Sequence, residues 1–117
     1  MKIRIGCDIV EIKRFNNINK KALEKIFHKS ELKTLKPETL AGIFAAKESC
    51  KKVFNDLTWY DIEILKNKKG KPSLIINKQI KTKKNQKSKM TKSHDLSISH
   101  NGSYAIAVVV FLLENEP

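Results

Sequence analysis

Three short stretches of the chain carry residue types that could act on a phosphorylated ligand. They are GCDIVEIKRF (Gly6–Phe15), FAAKESCKK (Phe44–Lys52) and LSISH (Leu96–His100). The first contains the carboxylate of Asp8, the second places Glu48 four residues before Lys52, and the third ends in a Ser/His pair. In proteins Mg²⁺ takes one or two carboxylates, and phosphate oxygens of a ligand help to complete its coordination. The stretches therefore suit a divalent metal that holds a phosphorylated ligand, with Asp8 and Glu48 as the candidate metal ligands.

The same residues also have ordinary structural interpretations. Glu48 and Lys52 have the i, i+4 order of a helix ion pair, which contributes only about 0.3–0.5 kcal/mol. Glu11 is a second acid on the same segment as Asp8 and competes with it as a metal ligand. A single histidine such as His100 is more often structural or solvent-exposed than catalytic. Residue types alone leave the metal site and the surface pairs both open.

The first stretch is predicted to be a half-buried strand. Residues 3–12 alternate, with Ile3, Ile5 and Ile9 on one side and Asp8 on the other. We expect the isoleucine side to face the core, which would turn Asp8 away from it.

The second stretch is predicted to lie on the longest helix. Pro37 suits a first helical turn, and apolar residues recur at helical spacing as far as Phe54. Ala41 and Ala45 flank Glu48 and Lys52, and these small side chains are expected to leave room for a ligand. Lys47 falls within the apolar arc, where its stem is expected to follow the core edge with the ammonium in water.

The other elements complete an α+β fold, an antiparallel sheet packed against a long helix. They are a short helix over 18–27, a hairpin of 59–65 with 73–76, a lysine-rich loop or marginal helix over 78–93, and strands 96–100 and 104–113. The last two strands are joined by Asn101-Gly102, a turn in which both residues accept positive φ. We expect strand 104–113 to be central because it is almost entirely apolar, and residues 1–117 to form one domain.

The bulk composition restricts the partners. The net charge of +12 indicates an acidic partner, such as nucleic acid, anionic lipid, a phosphorylated small molecule or an acidic protein. No apolar run approaches the roughly 20 residues that span a bilayer. The N-terminus does not have the pattern of a signal peptide. We therefore expect a cytoplasmic chain without membrane insertion.

The order of the three stretches resembles the holo-[acyl-carrier-protein] synthases, the small bacterial 4′-phosphopantetheinyl transferases. GCDIVEIKRF is similar to the family's G-x-D-[IV]-x-x-[IL]-x-R pattern, FAAKESCKKVF to its F-[AS]-x-K-E-A-x-x-K-A helix, and LSISHNGSYAIAVV to its S-[IV]-[ST]-H segment. FHKSEL and GKP match two minor motifs, so the resemblance runs from Ile5 to about Val110. Ile43 departs from the pattern, since many members carry arginine there, and Asn55-Asp56-Leu57 replaces a glycine-rich turn.

The resemblance implies a 4′-phosphopantetheinyl transferase-like fold and a homotrimer with the active site between subunits. It implies transfer of 4′-phosphopantetheine from coenzyme A to a serine of apo acyl carrier protein, with release of adenosine 3′,5′-bisphosphate. Asp8 and Glu48 would hold Mg²⁺, and Glu48 would help to deprotonate the serine. Lys52 would stabilise charge on the phosphates. Ser99 and His100 would bind or orient coenzyme A.

The resemblance also implies contacts at the edges of the site. The nucleotide region would be lined by Gly70, Lys71 and Pro72. Lys13 and Arg14 would contact the acidic carrier protein, and the basic charge would steer the encounter. The alternative is a basic nucleic-acid-binding module without catalysis. It has little support in the sequence, because no helix shows clustered groove-reading residues and aromatic residues make up only 7% of the chain.

Overall fold

The computed structural model describes residues 1–77, 80–81, 87–88 and 93–113. These described residues contain seven strands: β1 (Lys2–Glu11), β2 (Ile62–Lys66), β3 (Pro72–Ile76), β4 (Ile80–Lys81), β5 (Lys87–Ser88), β6 (His94–His100) and β7 (Tyr104–Leu113). The two α-helices are α1 (Lys20–Glu24) and α2 (Pro37–Val53). Short 3-10 turns cover Ile12–Phe15, Lys29–Lys33 and Trp59–Asp61.

An antiparallel sheet with α2 across one face forms the centre of the molecule, which confirms the predicted α+β class. The strand order is β1-β7-β6, so the apolar strand β7 is central, as predicted. Strand β7 pairs with β1 along its whole length and with β6 along most of it. The predicted hairpin is also present as β2 paired with β3.

Strand β1 turns the opposite face to the core from the one predicted. Ile3, Ile5 and Ile9 are 60–67% exposed, whereas Gly6 and Val10 are buried under α2. Because opposed residues of an antiparallel pair share a face, these isoleucines continue onto exposed residues of β7. Together they form an apolar surface that we call the outer face: Ile3, Ile5, Cys7, Ile9, Tyr104, Ile106 and Val108.

The close approach of α2 explains why the predicted face was wrong. A Cβ atom at Gly6 would lie only 2.2 Å from the carbonyl oxygen of Ser49, so only glycine fits between the strand and the helix. On β7 the residue opposite Gly6 is Val109, and the next two positions on this face are the small residues Ala107 and Ala105; all three are fully buried. Gly6 and the two alanines thus form the part of the covered face where small residues meet α2. Asp8 lies on this side, opposite Ala107, rather than on the side away from the core.

The small residues of α2 serve packing, not ligand access. Ala41 and Ala45 are completely buried, so the expectation that they leave room for a ligand is wrong. Gly42 also contacts the sheet closely, since a Cβ atom there would be 2.8 Å from a methyl group of Ile98. This side of α2 is closed by the sheet.

Lys47 is fully buried in an ion pair, so its expected place at the core edge is also wrong. Its Nζ lies 2.6 Å from Oε1 of Glu31, and both side chains are 0% exposed. Backbone groups complete the hydrogen bonding of the pair: Nζ donates to the carbonyls of Ile26 (2.8 Å) and Trp59 (3.2 Å), and Glu31 accepts from the N–H groups of His28 (2.7 Å) and Ile64 (2.8 Å). We call this the buried pair.

Two local predictions need correction. Helix α1 covers only Lys20–Glu24 rather than 18–27, and it begins where the Asn19 side chain accepts from the N–H of Ala22. In the turn after β6, positive φ is confined to Gly102, while the Asn101 side chain accepts two following N–H groups. The predicted lysine-rich loop or helix over 78–93 falls mostly outside the described residues; of the five described within it, Ile80–Lys81 and Lys87–Ser88 form the β4–β5 pair. Among the described helices, none is long and apolar enough to cross a membrane.

Candidate active site

Asp8 and Lys52 meet where β1 passes under the end of α2. The Nζ of Lys52 lies 3.0 Å from Oδ1 of Asp8 and also donates to the carbonyl of Cys7, again at 3.0 Å. The hydrogen bond that Lys52 donates to Asp8 and the nearby charges of Asp8 and Glu48 raise the pKa of Lys52 above its ordinary value. Lys52 therefore stays fully protonated at neutral pH, and its side chain is 54% exposed. We call this contact the open pair.

Glu48 lies one helical turn before Lys52 and is partly exposed. The simple i, i+4 ion pair considered from the sequence does not form, because the ammonium of Lys52 is directed to Asp8 instead. Among the described residues, Glu48 has no hydrogen-bond or ion-pair partner. Its carboxylate is therefore available to a ligand beside the open pair.

The donor set fits a hard divalent cation with few protein ligands. Asp8 and Glu48 supply two carboxylates close to one ammonium group. In the part of the chain that the structure describes, no cluster of three or more His, Cys, Asp or Glu side chains could hold a metal. A cation held by two carboxylates leaves most of its positions to water and ligand oxygens, which is how Mg²⁺ is commonly bound with phosphates.

Glu11, the competing acid, lies on the other side of β1. Alternate residues of a strand point to opposite faces, so Glu11 shares the outer face with Ile9 rather than the covered face with Asp8. Its carboxylate is 3.2 Å from Nζ of Lys13. The geometry therefore separates Glu11 from the open pair.

The structure does not bring Ser99 and His100 beside the open pair within one chain. They are consecutive residues of the edge strand β6, so their side chains point to opposite faces, and both are exposed. Strand β7 separates β6 from β1, which places these strands roughly 10 Å apart.

Gly70, Lys71 and Pro72 form a third separate group at the β2–β3 turn. Gly70 has a φ of +81°, which a residue with a side chain would rarely adopt. Lys71 and Pro72 border a cavity of about 250 Å³ that they share with the His94 end of β6. His100 lies at the opposite end of that strand. In one chain the predicted coenzyme A residues are therefore divided between two places.

A stack of two aromatic rings with a cationic group at each end lies on the other side of Glu48, and sequence reasoning missed it. The guanidinium of Arg14 is 5.2 Å from the ring centroid of Phe44, which stacks on Trp59 at 5.3 Å. The Nζ of Lys51 is 3.7 Å from the centroid of Trp59. Residues from three separate segments meet here, and no sequence spacing links them. Lys13 is exposed beside Arg14, whereas Ile43 is buried and presents no charge.

Comparison with known proteins gives a consistent result. The family model of the 4′-phosphopantetheinyl transferase superfamily matches residues 4–109. The holo-[acyl-carrier-protein] synthase of Campylobacter fetus is 40% identical, covering 91% of this chain and 96% of its own. That of Caldanaerobacter subterraneus is 37% identical over 94% of each chain. The solved Helicobacter pylori holo-[acyl-carrier-protein] synthase, in complex with coenzyme A, superposes with a TM-score of 0.75 at 34% identity over 93% of this chain and 100% of its own.

Proposed function

Because this chain belongs to the 4′-phosphopantetheinyl transferase superfamily, among its holo-[acyl-carrier-protein] synthases, we propose that it transfers 4′-phosphopantetheine from coenzyme A to a serine of apo acyl carrier protein. The products are the holo carrier protein and adenosine 3′,5′-bisphosphate. The open pair beside the unpartnered carboxylate of Glu48 is the observation that links this function to particular residues. The family assignment favours this reaction over the nucleic-acid-binding module considered from charge alone.

We assign the chemistry to the open pair and Glu48. The serine oxygen attacks the phosphorus attached to pantetheine, and the bond from that phosphorus to the adenosine bisphosphate oxygen breaks. Glu48 accepts the serine proton, and Lys52 neutralises charge that builds on the phosphate oxygens. Asp8 and Glu48 would hold Mg²⁺, which when bound supplies further neutralisation of the pyrophosphate.

The separation of the predicted coenzyme A residues supports a site built between subunits. We propose that Ser99 and His100 bind coenzyme A across a boundary from the Gly70–Pro72 turn of another copy of the chain. The outer face suits such an assembly, since it exposes contiguous large apolar side chains on β1 and β7. Soluble monomers seldom expose apolar patches of this kind.

The assembly is tested by measuring mass in solution. We expect three times the chain mass of 13.4 kDa by light scattering. Replacing Ile5 and Ile9 by aspartate should give monomers with reduced transferase activity. The matched change, Lys33 and Lys36 to aspartate at two exposed positions outside the outer face and the β2–β3 turn, should keep the assembly. A wild-type monomer with full activity would contradict the proposal.

The charge supports an acidic protein as the acceptor. The chain carries +12, and Lys13 and Arg14 are exposed on the 3-10 turn that follows β1. An acidic carrier protein would be attracted to this surface, and added salt would slow the encounter.

Both cysteines are free thiols, which suits the reducing cytoplasm that we propose as the location.

The function is tested by incubating the protein with coenzyme A, MgCl₂ and an apo acyl carrier protein, then weighing the carrier by intact-mass spectrometry. We expect the carrier to gain one phosphopantetheine, and a carrier with its acceptor serine changed to alanine to gain nothing. Excess EDTA should stop the reaction, and MgCl₂ should restore it. No mass gain on several apo carriers that a known transferase modifies would refute the proposal, while gain that resists EDTA would refute the Mg²⁺ dependence.

A further inference from the structure

Lys51 is held in an unusually defined position for a surface lysine. Its Nζ lies 3.7 Å from the ring centroid of Trp59, well within the roughly 6 Å at which a cation is attracted to an aromatic face. We propose that Lys51, ordered by Trp59, is a specificity-determining contact to the acidic carrier protein. The inference rests on the transferase function proposed above and adds a residue to it.

The support beneath Lys51 is rigid. The indole ring of Trp59 stacks on Phe44 with an interplanar angle of 27°. The carbonyl of Trp59 accepts a hydrogen bond from Lys47, a member of the buried pair. The Trp59 ring over which Lys51 lies is therefore held in place by its stacking on Phe44 and by the hydrogen bond to its own backbone carbonyl. A cation fixed before binding loses less side-chain entropy when a partner arrives.

The position of Lys51 separates it from the phosphate chemistry. At about 100° per residue, Lys51 and Lys52 fall on opposite sides of Glu48 along the helix surface. Lys52 is directed to Asp8, whereas Lys51 is directed to Trp59. A lysine three residues after a glutamate on a helix is close enough to pair with it. The ammonium of Lys51 lies over the Trp59 ring instead, so it takes no part in the open pair.

The stack connects Lys51 with the residue proposed to contact the carrier. Arg14 lies over Phe44 at 5.2 Å, so Arg14 and Lys51 stand at the two ends of one aromatic stack. Both are cations, and both lie on the same side of Glu48. Two ordered positive charges beside the residue that accepts the serine proton suit an acidic protein whose serine must reach that residue.

The test compares the two substrates of the same enzyme. Lys51→Gln should raise the KM for apo carrier about threefold and Lys51→Glu about tenfold, with the KM for coenzyme A and kcat unchanged. Trp59→Leu should act like Lys51→Gln, because it frees the lysine without removing it. Added salt should reduce the difference in the KM for apo carrier between the wild type and Lys51→Glu. Lys36→Gln, at an exposed lysine just before α2, is the control and should leave both KM values unchanged.

Binding can also be followed without catalysis. Trp59 is the single tryptophan, so titration with an apo carrier that lacks tryptophan should change its fluorescence in the wild type. The change should need a higher carrier concentration in Lys51→Glu. An unchanged carrier KM in a folded Lys51→Glu enzyme, or a rise in the KM for coenzyme A alone, would overturn the inference while leaving the transferase function intact. Failure of the wild type to modify any carrier would instead refute the function itself.

Discussion

Helix α2 carries two lysine–carboxylate pairs that face opposite environments. In the buried pair, Lys47 and Glu31 are 2.6 Å apart and 0% exposed. Backbone groups form the further hydrogen bonds of both side chains. In the open pair, Lys52 and Asp8 are 3.0 Å apart with side chains 54% and 14% exposed. Burial lowers the pKa of Lys47 in spite of Glu31, whereas Asp8 raises the pKa of Lys52.

The difference shows how one helix can separate structure from chemistry. The buried pair joins α2 to the 3-10 turn of Lys29–Lys33 and to the backbone at Trp59, so it fixes where the helix lies. Glu48 follows Lys47 directly and points outward with a carboxylate that a ligand can reach. An ion pair whose hydrogen-bonding groups are all satisfied is suited to stabilising a fold. A pair that is exposed to solvent and keeps free hydrogen-bonding capacity is suited to binding phosphate and metal.

The largest expected effect comes from removing a carboxylate of the open site. Asp8→Ala should lower kcat/KM by about 10³-fold or more, equivalent to about 4 kcal/mol, because it removes a proposed metal ligand and the partner of Lys52. Glu11→Ala is the matched control on the same strand, and its activity should stay near that of the wild type. A greater loss in Glu11→Ala than in Asp8→Ala would reverse the assignment.

Removing the lysine of the buried pair should destabilise the fold instead. Lys47→Met leaves the charge of Glu31 buried without its partner, so the free energy of unfolding should fall by about 3–5 kcal/mol. Lys52→Met breaks an exposed pair and should change it by less than about 1 kcal/mol. Urea unfolding of both variants measures this directly. Equal losses would show that the two pairs do not differ in the way proposed.

In alkaline solution, Lys47 and Lys52 should change the free energy of unfolding with pH in opposite directions, and this effect is smaller. The pKa of Lys47 lies below its ordinary value of 10.5 in the folded chain. The unfolded chain therefore binds more protons between these two values, and this lysine makes the free energy of unfolding rise with pH there. The pKa of Lys52 is raised, so its contribution is present below 10.5 and is lost as pH rises through the folded pKa.

Lysine-detected NMR titration can resolve the two groups. The ammonium of Lys47 should lose its proton before that of an ordinary lysine, and the ammonium of Lys52 after it. Asp8→Asn should return Lys52 towards its ordinary pKa. The same direction of shift in both lysines would contradict the comparison.

The sequence predicts those parts of the fold that depend on local pattern. Helix α2, the β2–β3 hairpin and the central place of β7 follow from periodicity and turn residues. The orientation of β1 does not, because alternation cannot distinguish an apolar face covered by a helix from one available to another subunit. Gly6 was the informative residue, since a glycine within a strand can mark a close approach of another backbone.

Only part of the site was predicted, because contacts between different elements cannot be read from local patterns. Asp8, Glu48 and Lys52 were identified by motif, and the structure places them together. The buried pair and the Lys51–Trp59 contact each join two different elements of the fold, so no spacing rule within one element could find them. Ser99, His100 and the Gly70–Pro72 turn stay a prediction, because one chain does not bring them together.

The most direct test exchanges one carboxylate for an amide in each region and measures transfer and unfolding on the same samples. Glu48→Gln should abolish phosphopantetheine transfer and leave the free energy of unfolding within about 1 kcal/mol of the wild type. Glu31→Gln should do the reverse, lowering that free energy by about 3 kcal/mol while its folded fraction keeps the wild-type transfer rate. If Glu48→Gln transfers normally, or if both variants lose activity and stability together, the separation of the open site from the buried pair is wrong.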